Sequence, residues 1–288
     1  MTEASCPLCK SNESRYCFSE RGYKLLSCNT CDLFYIDPYP ENVHEHVQKY
    51  DYDNLEILNP NRHYQTEIQL QKMYFELIAQ ELDEATTLLD VGCGTGHFLE
   101  RLQNYPNLYR AGIELNKDRA AMARKKAGCD IFQIPIEEFN VEVRFDVVTM
   151  TNVLSHIPDF ERLFGKLRAI LTPHGKLILK VGEMKKNVAK SDVFDWQIPD
   201  HLHFLGLNTI DYICQDFNFK IRKHRRIPLS QDMFSPVYFK SPGRSKIRNI
   251  IKNLLVYTPF ALPTLAKIYD IRTGQRIYSS FIVLEMVP

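Results

Sequence analysis

Residues 88–99 read LLDVGCGTGHFL: an apolar run, an aspartate at 90, glycines at alternate positions 92, 94 and 96, then apolar residues at helical spacing. The pattern predicts a strand that ends in a tight turn and opens a helix. Such a turn is a place to hold a ligand, because backbone without Cβ permits close approach and the helix start offers free N–H groups. A phosphate-binding P-loop needs lysine after its last glycine, where His97 stands, and a dinucleotide G-x-G-x-x-G needs glycine at 97 itself. Both patterns fail. What is left is D-x-G-x-G-x-G from Asp90 to Gly96. A carboxylate so near the turn opposes a pyrophosphate and suits a ligand that brings a cation, such as the amino group of a methionine moiety.

Outward from this stretch the chain alternates. Apolar runs at 87–91, 111–115, 129–134, 145–150 and 176–181 read as strands, with helical patterns at 97–104, 117–127 and 159–171 between them. That repetition predicts an α/β fold with a doubly wound, seven-stranded, mostly parallel sheet. A helix is expected over 64–83. A sixth strand (220–227) and a final one (279–287) complete the sheet, leaving about 231–275 as an inserted helical segment.

At 288 residues, 44% hydrophobic and 25% charged, the chain can bury one full core and carry a small extra module. The first 25 residues are polar, and the most apolar later stretch, 254–266, is broken by Pro259 and Pro263. Neither secretion nor a membrane span is expected, and a cytoplasmic location is. Among eight cysteines, two C-x-x-C pairs stand out: Cys6 with Cys9, and Cys28 with Cys31. Their spacing suits a tetrahedral structural Zn²⁺, since each knuckle gives two thiolates to one ion; two disulfides or four unrelated thiols are the alternatives. Residues 1–36 then read as a small N-terminal zinc ribbon that needs its metal to fold, and 37–63 as a linker to a main domain over 64–288.

The stretch LLDVGCGTGHFL closely resembles the first motif of class I (Rossmann-like) S-adenosylmethionine-dependent methyltransferases, and the segment order agrees over about 65–288. The resemblance implies that Gly92, Gly94 and Gly96 line the methionine part of the cofactor S-adenosyl-L-methionine, with Asp90 toward its amino group. Glu114, with Leu115 beside it in AGIELN, stands where an acid accepts the ribose diol. In FQIPIEEF the family's acid is replaced by Pro135, so Ile136 and Glu137 are the expected adenine contacts. In TMTNVLSHIPD, Thr151 and Asn152 border the methionine end, Ser155 replaces the usual acid, and His156 faces either the cofactor or a packed helix.

The segment FDWQIPDHLHFL (194–205) resembles the Asp-His-Leu-His segment of many small-molecule methyltransferases. His201 and His203 are each a candidate general base for a hydroxyl or amine acceptor, or else pack and cap the next helix. Between Lys220 and Lys267 there are eleven Lys or Arg and one acid, Asp232, although the whole chain carries only +1. A basic amphipathic insertion there suits a nucleotide-, phosphate- or lipid-linked acceptor, or peripheral contact with an anionic membrane; a solvated helix packed on the domain is the plainer reading. The function expected is methyl transfer to a small molecule, a sugar, glycan precursor or secondary metabolite, with oxygen as nucleophile. An RNA methyltransferase that reads its substrate with the ribbon, and a binding protein without turnover, are the alternatives.

Overall fold

The computed structural model describes residues 5–40, 74–140, 142–193, 196–234 and 246–288. The linker 41–63 and the first part of the helix expected over 64–83 lie outside them; within them that helix runs over 74–79. Four strands in register form the parallel core: β4 (Thr87–Val91), β5 (Tyr109–Ile113), β6 (Asp130–Phe132) and β7 (Phe145–Thr151). Strand β8 (Leu171–Met184) joins them in parallel and is longer than the apolar run alone suggested, because its hydrogen bonding continues past Val181. Strands β10 (Phe219–Pro228) and β11 (Ile277–Met286) close the sheet, β11 antiparallel to both β8 and β10. The order β6-β5-β4-β7-β8-β11-β10 is the expected seven-stranded, mostly parallel sheet.

Side chains alternate between two apolar layers, as doubly wound sheets require. Leu88, Ile178 and Phe281 pack on one face with Ala120, Ala123 and Ala127, while Leu89, Leu177, Leu179 and Ile282 pack on the other with Leu163, Leu167 and Ile210. The helices are α1 (His97–Arg101), α2 (Lys117–Ala127), α3 (Phe160–Ile170) and α4 (Thr209–Phe217). Two of the starts are chemically marked. Asn116 accepts from the N–H groups of Asp118 and Arg119 at 3.0 Å, and Asp159 accepts from Arg162 N–H at 3.0 Å. Gly128, at φ 60°, ends α2.

The N-terminal strands are β1 (Ser14–Glu20), β2 (Tyr23–Cys28) and β3 (Phe34–Asp37), a meander. They do not stand apart from the main sheet. Strand β9 (His203–Gly206) pairs parallel with the end of β8 and antiparallel with β3, so one hydrogen-bonded sheet of eleven strands runs through the described residues. Phe18 and Phe34 from the meander pack with Trp196, Ile198 and Leu202 in a third apolar cluster.

The inserted segment carries α5 (Leu229–Met233), α6 (Lys246–Tyr257) and α7 (Ala261–Thr273). Its base is fixed at the carboxyl end of β8, where Ile277 is opposite Met184. There Arg276 holds Asp192 with both carboxylate oxygens at 2.7 and 2.8 Å. Nearby, fully buried Glu183 takes two 3.1 Å contacts from Arg226 and one of 2.8 Å from His224. Burial pushes its pKa up, but hydrogen bonds from His224, Arg226 and Ser280 outweigh that and hold it below the ordinary carboxylate range.

Candidate functional site

Strand β4 delivers Asp90 and then the turn. Gly92, Gly94 and Gly96 sit at φ 71°, 56° and 83°, left-handed conformations that favour glycine. Two of them are also required by space: a Cβ on Gly92 would lie 2.3 Å from Val153 Cγ2, and one on Gly96 2.8 Å from the backbone of Ala123 in α2. The turn is held mainly by its own backbone. Gly92 and Cys93 donate to Ile113 O at 2.8 and 3.0 Å, and Gly96 donates to Cys93 O at 3.0 Å.

The middle glycine bonds to an acid. Gly94 N–H donates to Glu114 Oε2 and Asn116 N–H to Glu114 Oε1, each at 2.8 Å. Buried Glu114 therefore fastens the turn to the end of β5 while a carboxylate retains capacity for about four donors in all. Leu115 follows it, half-buried. Within the turn, Thr95 is buried and its hydroxyl has no hydrogen-bond partner among the described residues.

Asp90 is buried below this turn. Its Oδ1 accepts from Thr149 Oγ1 at 2.6 Å, and Thr149 is the residue opposite it in the β4–β7 register. Among the described residues no lysine, arginine or histidine pairs with it. Burial pushes its pKa up to about 7, the Thr149 hydrogen bond works against that, and the Glu114 charge adds to it. A ligand ammonium would hold the carboxylate ionised. His97, directly after the turn, faces elsewhere: its ring lies 2.8 Å from Lys126 Nζ, and burial and then Lys126 push its pKa down.

On the far wall, β7 ends at Thr151, and Asn152 sits at φ 58° with its Oδ1 2.8 Å from Lys180 Nζ. Ile136 opens a short 3-10 turn and is buried in the main core; Glu137 beside it is half-buried. These residues border the turn in the topology, with no direct contact to Asp90 among the hydrogen bonds of the described residues.

The histidines converge. His156 Nδ1 lies 2.8 Å from the carbonyl oxygen of Asp200 and 3.5 Å from its carboxylate, and the His156 and His201 rings are 4.9 Å apart. His156, Asp200 and His201 bring ligand-capable atoms within 4.8 Å of one another. Burial, then the neighbouring His156, pushes the His201 pKa down to about 4, so its ring is neutral at neutral pH. His203 is differently placed. It is 1% exposed, its Nε2 donates to Leu154 O at 2.6 Å, and its ring packs 4.6 Å from Phe160. Burial pushes its pKa down to about 3. Thr149, Thr95 and Asp200 were not singled out from sequence. The parallel register gives Thr149, and its place just before His201 gives Asp200.

The four ribbon cysteines are assembled. Cys6 and Cys31 sulfurs are 3.6 Å apart, Cys9 and Cys28 sulfurs 3.4 Å, and all four lie within 4.8 Å. These separations exceed a disulfide bond of about 2.05 Å and are close to the roughly 3.8 Å expected across a Zn–S tetrahedron with bonds of about 2.3 Å. The cluster is tied to the histidine segment: Thr209 Oγ1 donates to Cys31 O at 2.9 Å, Asn208 Nδ2 to Asp32 Oδ2 at 2.6 Å, and Ile36 N–H to Leu202 O at 2.9 Å.

A methyltransferase-domain family matches residues 61–224. Malonyl-[acyl-carrier protein] O-methyltransferase of Calditerrivibrio nitroreducens is 34% identical over 94 residues, 33% of this chain and 37% of that one. Ubiquinone biosynthesis O-methyltransferase of Histophilus somni is 31% identical over 132 residues, 41% and 55% of the two chains. The chain thus spans about a third to just over half the length of these relatives. Among solved structures, geranyl diphosphate C-methyltransferase from Streptomyces coelicolor A3(2) shares the fold at TM-score 0.61 and 12% identity, over 86% of this chain and 100% of that one. An O-methyltransferase from a trans-AT PKS multienzyme of Brevibacillus brevis, in complex with S-adenosyl-L-homocysteine, does so at 0.55 and 16%, over 81% and 78%.

Proposed function

The chain belongs to the methyltransferase-domain family and has the class I S-adenosylmethionine-dependent fold, and from that premise we propose that it moves a methyl group from S-adenosylmethionine to a hydroxyl of a small-molecule acceptor. The observation that carries this reading is the joined unit of Asp90, the glycine turn and Glu114: a buried carboxylate without a cation beside a cradle that cannot accept a Cβ. The cofactor supplies an electrophilic methyl on a sulfonium sulfur when bound. Asp90 binds its ammonium group, Gly92, Gly94 and Gly96 hold the methionine end with Thr151 and Asn152, and Glu114 with Leu115 takes the ribose. Ile136 and Glu137 border the adenine.

The base is a histidine of the 156–203 cluster. His156 and His201 are the leading pair, because the neutral His201 imidazole can accept the hydroxyl proton and Asp200 orients His156. His203 is the third candidate, with its Nε2 already engaged by Leu154. Proximity of acceptor and methyl supplies much of the rate. One structural Zn²⁺ sits on Cys6, Cys9, Cys28 and Cys31, a reading supported by the sulfur spacing and by a thiolate set that leaves no open position for chemistry. We assign residues 1–36 to the ribbon, 37–63 to a linker and 64–288 to the methyltransferase domain, with the basic insertion at about 231–275. Eight cysteines, none of them in a disulfide, support a reducing compartment such as the cytoplasm. No helix among the described residues is long and apolar enough to cross a membrane.

Native mass spectrometry of the full chain with S-adenosylmethionine, a panel of nucleotide sugars and short RNAs tests the reading. A cofactor adduct with a retained sugar nucleotide supports it. RNA retention alone moves the assignment to an RNA methyltransferase, and no cofactor adduct overturns both.

A further inference from the structure

Helix α6 turns apolar side chains to solvent: Ile250, Ile251 and Leu254 are 60%, 51% and 65% exposed, while Leu255 and Val256 are half-buried against the domain. In α7 the outward positions mix the two chemistries: Ile268 and Ile271 are exposed together with Lys267 and Arg272, and Ile271 lies four residues from Lys267 while Arg272 lies four from Ile268. Between the helices, Tyr257 and Phe260 are 75% and 81% exposed and also line a groove of about 450 Å³ with Phe234, Leu262 and Pro263. The outward surface therefore leads into an apolar cleft.

Large apolar side chains in such number on one surface mark an interaction site. Charge identifies the occupant. Lys267 and Arg272 are exposed on this surface, and α6 itself, KIRNIIKNLLVY, has no acid. Two copies of this chain meeting through this face would bring these cations of each copy together, whereas anionic headgroups neutralise them and acyl chains accept the isoleucines. We infer that the outward face of α6 and α7 docks on an anionic lipid bilayer, and that the enzyme takes an acceptor carried at that surface. The inserted helices hang from the carboxyl end of β8, the edge at which open α/β sheets bind their ligands. The acceptor part of this inference rests on the methyltransferase reading; the bilayer part does not.

The test is sedimentation of the full chain with phosphatidylcholine vesicles containing or lacking phosphatidylglycerol, at low and high salt, with S-adenosylmethionine affinity measured by calorimetry on the same samples. The expected result is binding only to the anionic vesicles, weakened by salt. Lys267→Gln and Arg272→Gln should each lower partitioning roughly fivefold, the equivalent of about 1 kcal/mol per cation. Ile250→Asp with Leu254→Asp should abolish it while cofactor affinity and circular dichroism stay as in the parent, since these side chains are exposed. Absence of binding to anionic vesicles, equal binding to neutral ones, binding unmoved by the substitutions, salt-sensitive RNA binding in place of vesicle binding, or a dimer that these substitutions dissociate would each overturn the inference. Loss of cofactor affinity in the parent chain would instead strike the methyltransferase reading.

Discussion

Glu114 accepts the backbone N–H of Gly94 at 2.8 Å, so the acid at the end of β5 and the middle glycine of the β4 turn form one hydrogen-bonded unit. The residue assigned to the ribose also sets the shape of the turn that holds the methionine end. Glu114→Ala should lower S-adenosylmethionine affinity by roughly ten- to a hundredfold, the worth of one lost charged hydrogen bond or slightly more, and should lower the melting temperature as well. Calorimetry and thermal denaturation check this; intact affinity would remove Glu114 from the site.

Asp90 links affinity to pH. Its pKa of about 7 belongs to a carboxylate without a cation, and an ammonium group binds only the ionised form. Affinity should fall as pH drops through 7, with proton release on binding at pH 6. The opposite sign governs stability. The ordinary aspartate pKa is 3.8, so the buried charge destabilises the free protein increasingly from pH 3.8 to 7 and fully above that. Asp90→Asn should then stabilise the ligand-free chain at pH 8 by about 4 kcal/mol, leave it unchanged at pH 4, and abolish cofactor binding.

The histidine cluster is separable by what each substitution moves. His156→Ala and His201→Ala should cut kcat by roughly a hundredfold or more at unchanged cofactor affinity. With His201 titrating near pH 4, kcat should stay level from pH 6 to 8 while the cofactor KM carries the pH dependence. His203→Ala removes a buried ring from Phe160 and a donor from Leu154 O, so its main effect should be on thermal stability.

Purified protein should hold about one zinc per chain by elemental analysis. Cys31→Ser should release it. Because β3 pairs with β9 beside the histidines, the loss should reduce turnover more than cofactor affinity. Full activity in metal-free protein would make the ribbon dispensable.

Much of this was legible in the sequence because the parallel strands are apolar runs and the glycine turn is a local pattern. The sheet, α2, α3 and the glycine turn follow from spacing alone. Two kinds of feature did not. Thr149 meets Asp90 across fifty-nine residues, a register that no local pattern encodes. The ribbon reads as a separate module because its C-x-x-C pairs are local, yet the Phe34–Phe204 and Tyr35–His203 pairings make it part of the main sheet. His201 and His203 look equivalent in extended sequence; burial separates them. The amphipathic pattern of α6 was readable, but not which side it turns outward.

The pairing of β3 with β9 also sets an order of events during synthesis. The meander emerges first, and its partner strand follows more than 160 residues later. At about 5–20 residues per second this is a delay of roughly ten to thirty seconds, during which Phe34, Tyr35 and Ile36 present an open apolar edge. If the four cysteines capture a metal before that interval, the template on which the last part of the sheet zips is preformed, and zinc supplied to the nascent chain should then raise the yield of folded protein.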